Sequence, residues 1–302
     1  MNAYVNSLAG GKAVRSSARI EAFIRATDFD RPTLVLDTEL VAQQFRALKA
    51  GLGRADIHYA VKANPERAVI ETLVAEGSHF DAASRGEIEL CLGLGARPET
   101  ISFGNTIKKP VDIAFAYGAG ITLFAADSDM ELEKIAAHAP GVEVYIRLLM
   151  GTTEADWPLS RKFGTMESEV NALLAYAVHL GLKPVGLSFH VGSQTRRAEM
   201  WRDTLDRVAN VWTSAREAGF DLSLINIGGG FPAFYGEAID APEVYAAAVM
   251  DMVEPRFPGA TRIMAEPGRG MVAEAGMIAA EVLLVSKKSQ DDLHRWVYLD
   301  IG

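Results

Sequence analysis

Cysteine is nearly missing from this chain. The 302 residues hold one, Cys91, in the apolar helical stretch EIELCLGLG. A single thiol excludes a disulfide framework and a cysteine-based metal site within one chain, and it reads as a small core residue. No basic run occurs and the net charge is −9, which argues against nucleic acid as a partner. The acidic balance suits a solvated surface and is compatible with a cationic substrate. No stretch reaches the ~18–20 apolar residues that span a bilayer. The N-terminus, MNAYVNSLAGGKAVRSSARIEAF, lacks the continuous apolar core of a signal peptide. A cytoplasmic protein with no membrane partner and no metal is expected.

What remains is ordinary globular composition, 49% hydrophobic and 23% charged, enough for one large domain or two moderate ones. Nine short apolar runs punctuate the chain from residue 33 to residue 266: TLVLD, IHYAVK, SHFDAAS, TISFGN, ITLFAAD, VEVYIRLLM, PVGLSFHV, LSLINIGGG and RIMAEPG. Helical patterns such as TELVAQQFRALKAGL and DMELEKIAAHA separate them. Strands alternating with helices at this spacing mean βα units and a parallel sheet. Strands covered on both faces read as near-continuous apolar runs, as these do.

Two arrangements compete, a closed (β/α)₈ TIM-type barrel and a doubly wound open sheet. Polar residues decide between them. Lys62, Asp81, Asn105, Arg147, His190, Gly228–Gly230 and Glu266 each fall at or near the end of a different run. A barrel gathers all those ends at one mouth, whereas an open sheet spreads them along an edge. The barrel is therefore expected over residues 41–270. After Glu266 the pattern turns strand-like, so 271–302 reads as the start of a β-rich second domain. The N-terminal segment, 1–40, with its surplus strand TLVLD, is assigned to that domain. The chain stops at RWVYLDIG, which reads as an incomplete piece of a longer protein.

Lys62 ends the run IHYAVK. It is either a snorkelling surface lysine or a Schiff-base lysine whose amine burial has activated toward an aldehyde. In amino-acid chemistry that aldehyde is pyridoxal 5'-phosphate, an electron sink. Such a cofactor makes further demands. Its phosphate wants backbone N–H groups approached closely through glycines. Two loops offer them, NIGGGFP with Gly228, Gly229 and Gly230, and EPGRG with Gly268 beside Arg269. Ser193 could add a hydroxyl. An acid at the ring nitrogen keeps it protonated, and Glu266 is placed for that. His190, in SFHVGSQ, could stack on the ring. Asp81 could bond Lys62 or His190. Arg147, a cation within an apolar strand, should pair with a carboxylate, and Glu87 is the candidate. Read singly, each has an ordinary structural explanation: a turn hydroxyl, a capping carboxylate, a core histidine.

Taken in order, YAVKAN, FDAASRGEIE, SFHVGSQ, NIGGGFP and EPGR resemble the fold-III pyridoxal-phosphate decarboxylases. These are the ornithine, lysine, arginine and diaminopimelate decarboxylases, which share the alanine-racemase-like barrel. The likeness runs from about Pro32 to the end. It implies Lys62 as the cofactor lysine, His190 on the ring, Glu266 at the ring nitrogen, and Asp81 among the catalytic residues. It implies Ser193, Gly228, Gly229, Gly230, Gly268 and Arg269 at the phosphate, with Glu87 and Arg147 in support. GGGFP and LFAADSDMELEKI look closer to the ornithine/lysine branch. The resemblance further implies a basic amino-acid substrate, a diamine product in polyamine biosynthesis, and a homodimer with shared active sites. The family's Cα proton donor and distal-amine reader belong to a C-terminal region that this sequence does not contain. An amino-acid racemase on the same fold, a non-catalytic homologue that binds a partner protein, and a phosphate-binding barrel enzyme without pyridoxal are the rival readings.

Overall fold

A computed structural model describes residues 17–150 and 162–301. The strands are β1 (Thr33–Leu36), β2 (Asp56–Ala60), β3 (His79–Ala82), β4 (Ile101–Phe103), β5 (Leu123–Ala126), β6 (Glu143–Arg147), β7 (Lys183–Ser188), β8 (Leu224–Asn226), β9 (Arg262–Ala265), β10 (Gly276–Ala279), β11 (Val282–Ser286) and β12 (Trp296–Leu299). The helices are α1 (Ala18–Ala26), α2 (Thr38–Leu52), α3 (Arg67–Ala75), α4 (Arg85–Gly93), α5 (Pro110–Gly118), α6 (Asp129–His138), α7 (Val170–His179), α8 (Arg202–Glu217), α9 (Pro242–Val253) and α10 (Arg269–Val272).

Strands β2 to β9 run parallel and close into a barrel, with Asp56 and Ile57 of β2 in register with Met264 and Ala265 of β9. The barrel expected from the apolar runs is the observed fold, and each run supplies one strand. Alternation along β6 shows how the wall is built. Val144 and Ile146 point outward into the main core beneath the helices. Tyr145 points inward and packs with Leu123, Ala125, Leu224 and Met264 in the lumen.

The helices follow from capping and spacing. Asp37 caps α2 by accepting from the Glu39 N–H, and Gly53 ends it at a φ of +56°. Between those signals Val41, Phe45, Leu48 and Leu52 fall on one face and are buried against α9 and the barrel. Each such side chain contributes about 1.5–3 kcal/mol, and Leu52→Ala would cost about 2–5 kcal/mol.

Outside the barrel, β1 pairs antiparallel with β10, Thr33 opposite Ala279 and Leu36 opposite Gly276. β11 and β12 form a second antiparallel pair. Val282, Leu283, Leu284 and Val285 of that pair are all exposed. Of the segment 1–40 assigned above to a β domain, residues 1–16 lie outside the described residues. Among the described residues no helix is long and apolar enough to cross a membrane.

Candidate active site

The C-terminal ends of the barrel strands surround a cavity of about 520 Å³. Lys62, His190, Ser193, Gly229, Gly230, Glu266, Gly268 and Arg269 line it. So do Leu34, Leu36 and Ile278, which bring the β1–β10 pair over one side of the mouth as an apolar wall.

Lys62 sits in a single 3₁₀ turn, Val61–Ala63, directly after β2. The expectation of an amine buried among apolar neighbours is not met. The Lys62 side chain is 62% exposed, reaching into the open cavity, with Nζ 3.8 Å from Asp81 Oδ2. The turn lifts the residue off the end of the strand, so the apolar run that precedes it does not enclose it. Asp81, the third residue of β3, is buried and forms the other half of this loose pair. Burial raises the Asp81 carboxyl above its usual range, with Lys62 and Arg147 pulling it back. Among the described residues Asp81 forms no hydrogen bond to His190, the other partner considered for it.

Glu266 follows β9, and its Oε1 accepts from Asn226 Nδ2 at 2.5 Å. The same Asn226 accepts from the Gly228 N–H at 2.9 Å. One buried amide thus ties the acid to the first glycine of the NIGGG loop. Burial, then the neighbouring Asp81 charge, pushes Glu266 up to about 7. His190, after β7, accepts from the Gly192 N–H through Nδ1 at 3.0 Å, which leaves Nε2 to carry the ring proton. Burial and the positive charges of Arg147 and Lys62 bring it down to about 3, so the imidazole is neutral at physiological pH.

The glycines are there because side chains would not fit. Gly228 and Gly230 take φ of +68° and +112°, the left-handed region that other residues avoid. A Cβ on Gly229 would lie 2.8 Å from the Glu266 carbonyl and 3.0 Å from His190 Nε2. A Cβ on Gly268 would lie 2.8 Å from that of Ala63, beside Lys62. Arg269 donates to Ser193 Oγ at 3.3 Å and to Tyr235 Oη at 3.2 Å.

One expected pairing fails. Arg147 and Glu87 form no ion pair among the described residues. Glu87 lies in the first turn of α4 and folds back to accept from the Ala83 N–H at 2.6 Å. The charge of Arg147 falls instead on Asp81, Glu266 and His190, and its guanidinium lies 5.7 Å from the centre of the Phe163 ring. Asn226 and Tyr235 were not anticipated from the sequence. An amide closing an apolar strand just before three glycines was the signal available for Asn226; Tyr235 had none.

These residues fit pyridoxal phosphate. A glycine cradle that a Cβ would block, an arginine–serine pair beside it, an exposed amine and a buried acid all border one cavity. Comparison with known proteins agrees. Residues 38–273 match the family model described as "Pyridoxal-dependent decarboxylase, pyridoxal binding domain". The ornithine decarboxylase of Mus pahari is 35% identical over 247 residues, covering 81% of this chain and 53% of that protein. The lysine/ornithine decarboxylase of Selenomonas ruminantium is 31% identical over 275 residues, covering 90% of this chain and 68% of that protein. The crystal structure of the Vibrio vulnificus lysine/ornithine decarboxylase complexed with putrescine superposes with a TM-score of 0.84 at 32% identity, over 94% of this chain and 76% of that one. The chain spans about half the length of the Mus pahari relative. By motif, fold and match over most of its length, this chain belongs to the pyridoxal-dependent decarboxylases and carries their pyridoxal-binding domain.

Proposed function

We propose that this barrel serves the decarboxylation of a basic L-amino acid to a diamine and CO₂, with ornithine the first choice of substrate, then lysine, then arginine, as a step in polyamine biosynthesis. The observation that carries the reading is the meeting of Lys62 and Glu266 across one cavity whose floor is a glycine cradle. When bound, pyridoxal phosphate supplies an aldehyde for an amine and an electron sink for the bond that breaks.

The chain's own residues do the rest. Lys62 would hold the cofactor through its amine, which the loose 3.8 Å pairing with Asp81 lets turn within the cavity. The glycine loops present backbone N–H groups where side chains would intrude, and Arg269 with Ser193 adds charge and a hydroxyl for the phosphate. Glu266 is buried and raised in pKa, so a cationic partner relieves its burial. A protonated ring nitrogen is such a partner, and the Asn226 amide fixes the carboxylate in place before it arrives. His190 presents a neutral ring, restrained by Gly192, as a flat apolar surface. A protonated ring nitrogen would stabilise negative charge at Cα whether CO₂ or a proton departs, so product analysis separates decarboxylation from racemisation.

The test is CO₂ release from ornithine, lysine, arginine and diaminopimelate with added pyridoxal phosphate, beside borohydride trapping of the cofactor. The label mapped to Lys62 is expected, and release from one of the first three would name the substrate. Inverted amino acid without CO₂ would make the protein a racemase and overturn the reading.

A further inference from the structure

We propose that Tyr145 is a positioning residue for Asp81, its phenol donating to Oδ1, the carboxylate oxygen that Lys62 does not use. Tyr145 lies in the barrel lumen, two residues before Arg147 on β6, and its ring is fully buried. Its hydroxyl and Asp81 Oδ1 are both buried, and neither has a hydrogen-bond partner among the described residues. One is a donor and the other an acceptor. They border the same gap. A Cβ placed on Gly104, just after β4, would overlap Asp81 Oδ1 and stand 3.3 Å from Tyr145 Oη. The missing side chain at Gly104 is what leaves room for the two groups to meet, directly or through one water.

The other polar side chain beside the phenol is Ser102. Its hydroxyl lies 3.4 Å from the Phe80 carbonyl and 3.5 Å from His58 Nδ1, and it can at most accept from the phenol, which still leaves Asp81 Oδ1 without a donor. The charged groups acting on Asp81 are Lys62 from the turn after β2 and Arg147 from β6. Glu266 after β9 and Glu87 on α4 feel the Asp81 charge in turn. Of these, Lys62 contacts Oδ2, at 3.8 Å. A phenol donating to Oδ1 fixes the carboxylate's rotation, aims Oδ2 at the amine and favours the ionised form. The consequence for chemistry rests on the proposed role of Lys62; the hydrogen bond does not.

The first experiment therefore needs no cofactor. Tyrosine labelled with ¹³C at Cζ is introduced into the full chain, and Tyr145→Phe assigns the Tyr145 resonance. That resonance should step as Asp81 titrates, and Asp81→Asn should abolish the step. The Glu266 charge also acts on Tyr145, so a Tyr145 resonance whose pH response is the same in Asp81→Asn overturns the proposal. The second readout uses the loaded protein. In Tyr145→Phe the midpoint of the pH-dependent absorbance of the Lys62-bound cofactor should move by about one pH unit, the scale of one charge-assisted hydrogen bond. A variant with lower melting temperature and an unmoved midpoint would reduce Tyr145 to a packing residue. Absence of cofactor on Lys62 would sink the proposed function while leaving the first readout to decide the pairing.

Discussion

Lys62 and Lys108 both stand just past the C-terminal ends of barrel strands, β2 and β4, and the protein holds them in opposite ways. Lys62 reaches into an open cavity with one contact, at 3.8 Å. Lys108 has a side chain with no exposure, and it donates to the Asn105 carbonyl at 2.7 Å, the Ala125 carbonyl at 2.6 Å and Glu131 at 3.0 Å. An ammonium has three donors, and those of Lys108 are all spent. Glu131 is itself buried and takes Lys134 on its other oxygen at 2.5 Å. Burial lowers Lys108 to about 8 although Glu131 opposes the shift. The buried amine is a clamp between the loop after β4 and helix α6; the amine proposed to react is the one that borders the cavity.

The comparison can be broken most directly by covalent trapping. Lys62→Ala should abolish borohydride-fixed cofactor entirely, and Lys108→Met should retain it; peptide mapping that found the label on Lys108 would reverse their roles. Stability should separate them the other way. Glu131→Ala strands the Lys108 charge in the interior and should cost about 3–5 kcal/mol in urea unfolding. Lys62→Ala should cost less, because the Asp81 carboxyl that it leaves behind is already raised by burial and can take up a proton. The smallest effect sharpens the contrast through pH. Lys108 has a folded pKa of about 8 against a usual value of 10.5. Between those values the unfolded chain holds a proton that the folded one has released, so this group adds stability as pH rises across the window. The difference in unfolding free energy between the parent and Lys108→Met should drift in the parent's favour from pH 8 to pH 10.5. A flat difference would show that Lys108 titrates normally.

The fold was legible because each βα unit writes its own apolar run, and the polar residues at the ends of those runs favoured a closed barrel over an open sheet. The convergence of Lys62, His190, Glu266 and the glycine loops was legible for the same reason, since barrel topology brings strand ends to one mouth whatever the side chains do. What sequence could not show was direction over short distances. The turn at Val61–Ala63 exposes Lys62 where a continued strand would have enclosed it. Glu87 bonds the Ala83 N–H four residues back, which no spacing argument distinguishes from a reach toward Arg147. Lys108 and Glu131 lie in different βα units, and only the closed barrel lays one over the other. Tyr145 reads as one more aromatic in an apolar strand until its inward side of the wall is known.

The closure of the barrel also fixes an order of events. β2 finds its last partner in β9, and β1 pairs with β10, so both pairings join residues near opposite ends of the described chain. Closing such long loops is entropically slow. During synthesis, Lys62 emerges early, but Glu266, Arg269 and the wall made by Ile278 arrive late. The amine thus spends most of the folding time without the cradle that would hold its cofactor, and competence for cofactor capture is expected to appear as one of the last steps of folding rather than to accumulate unit by unit.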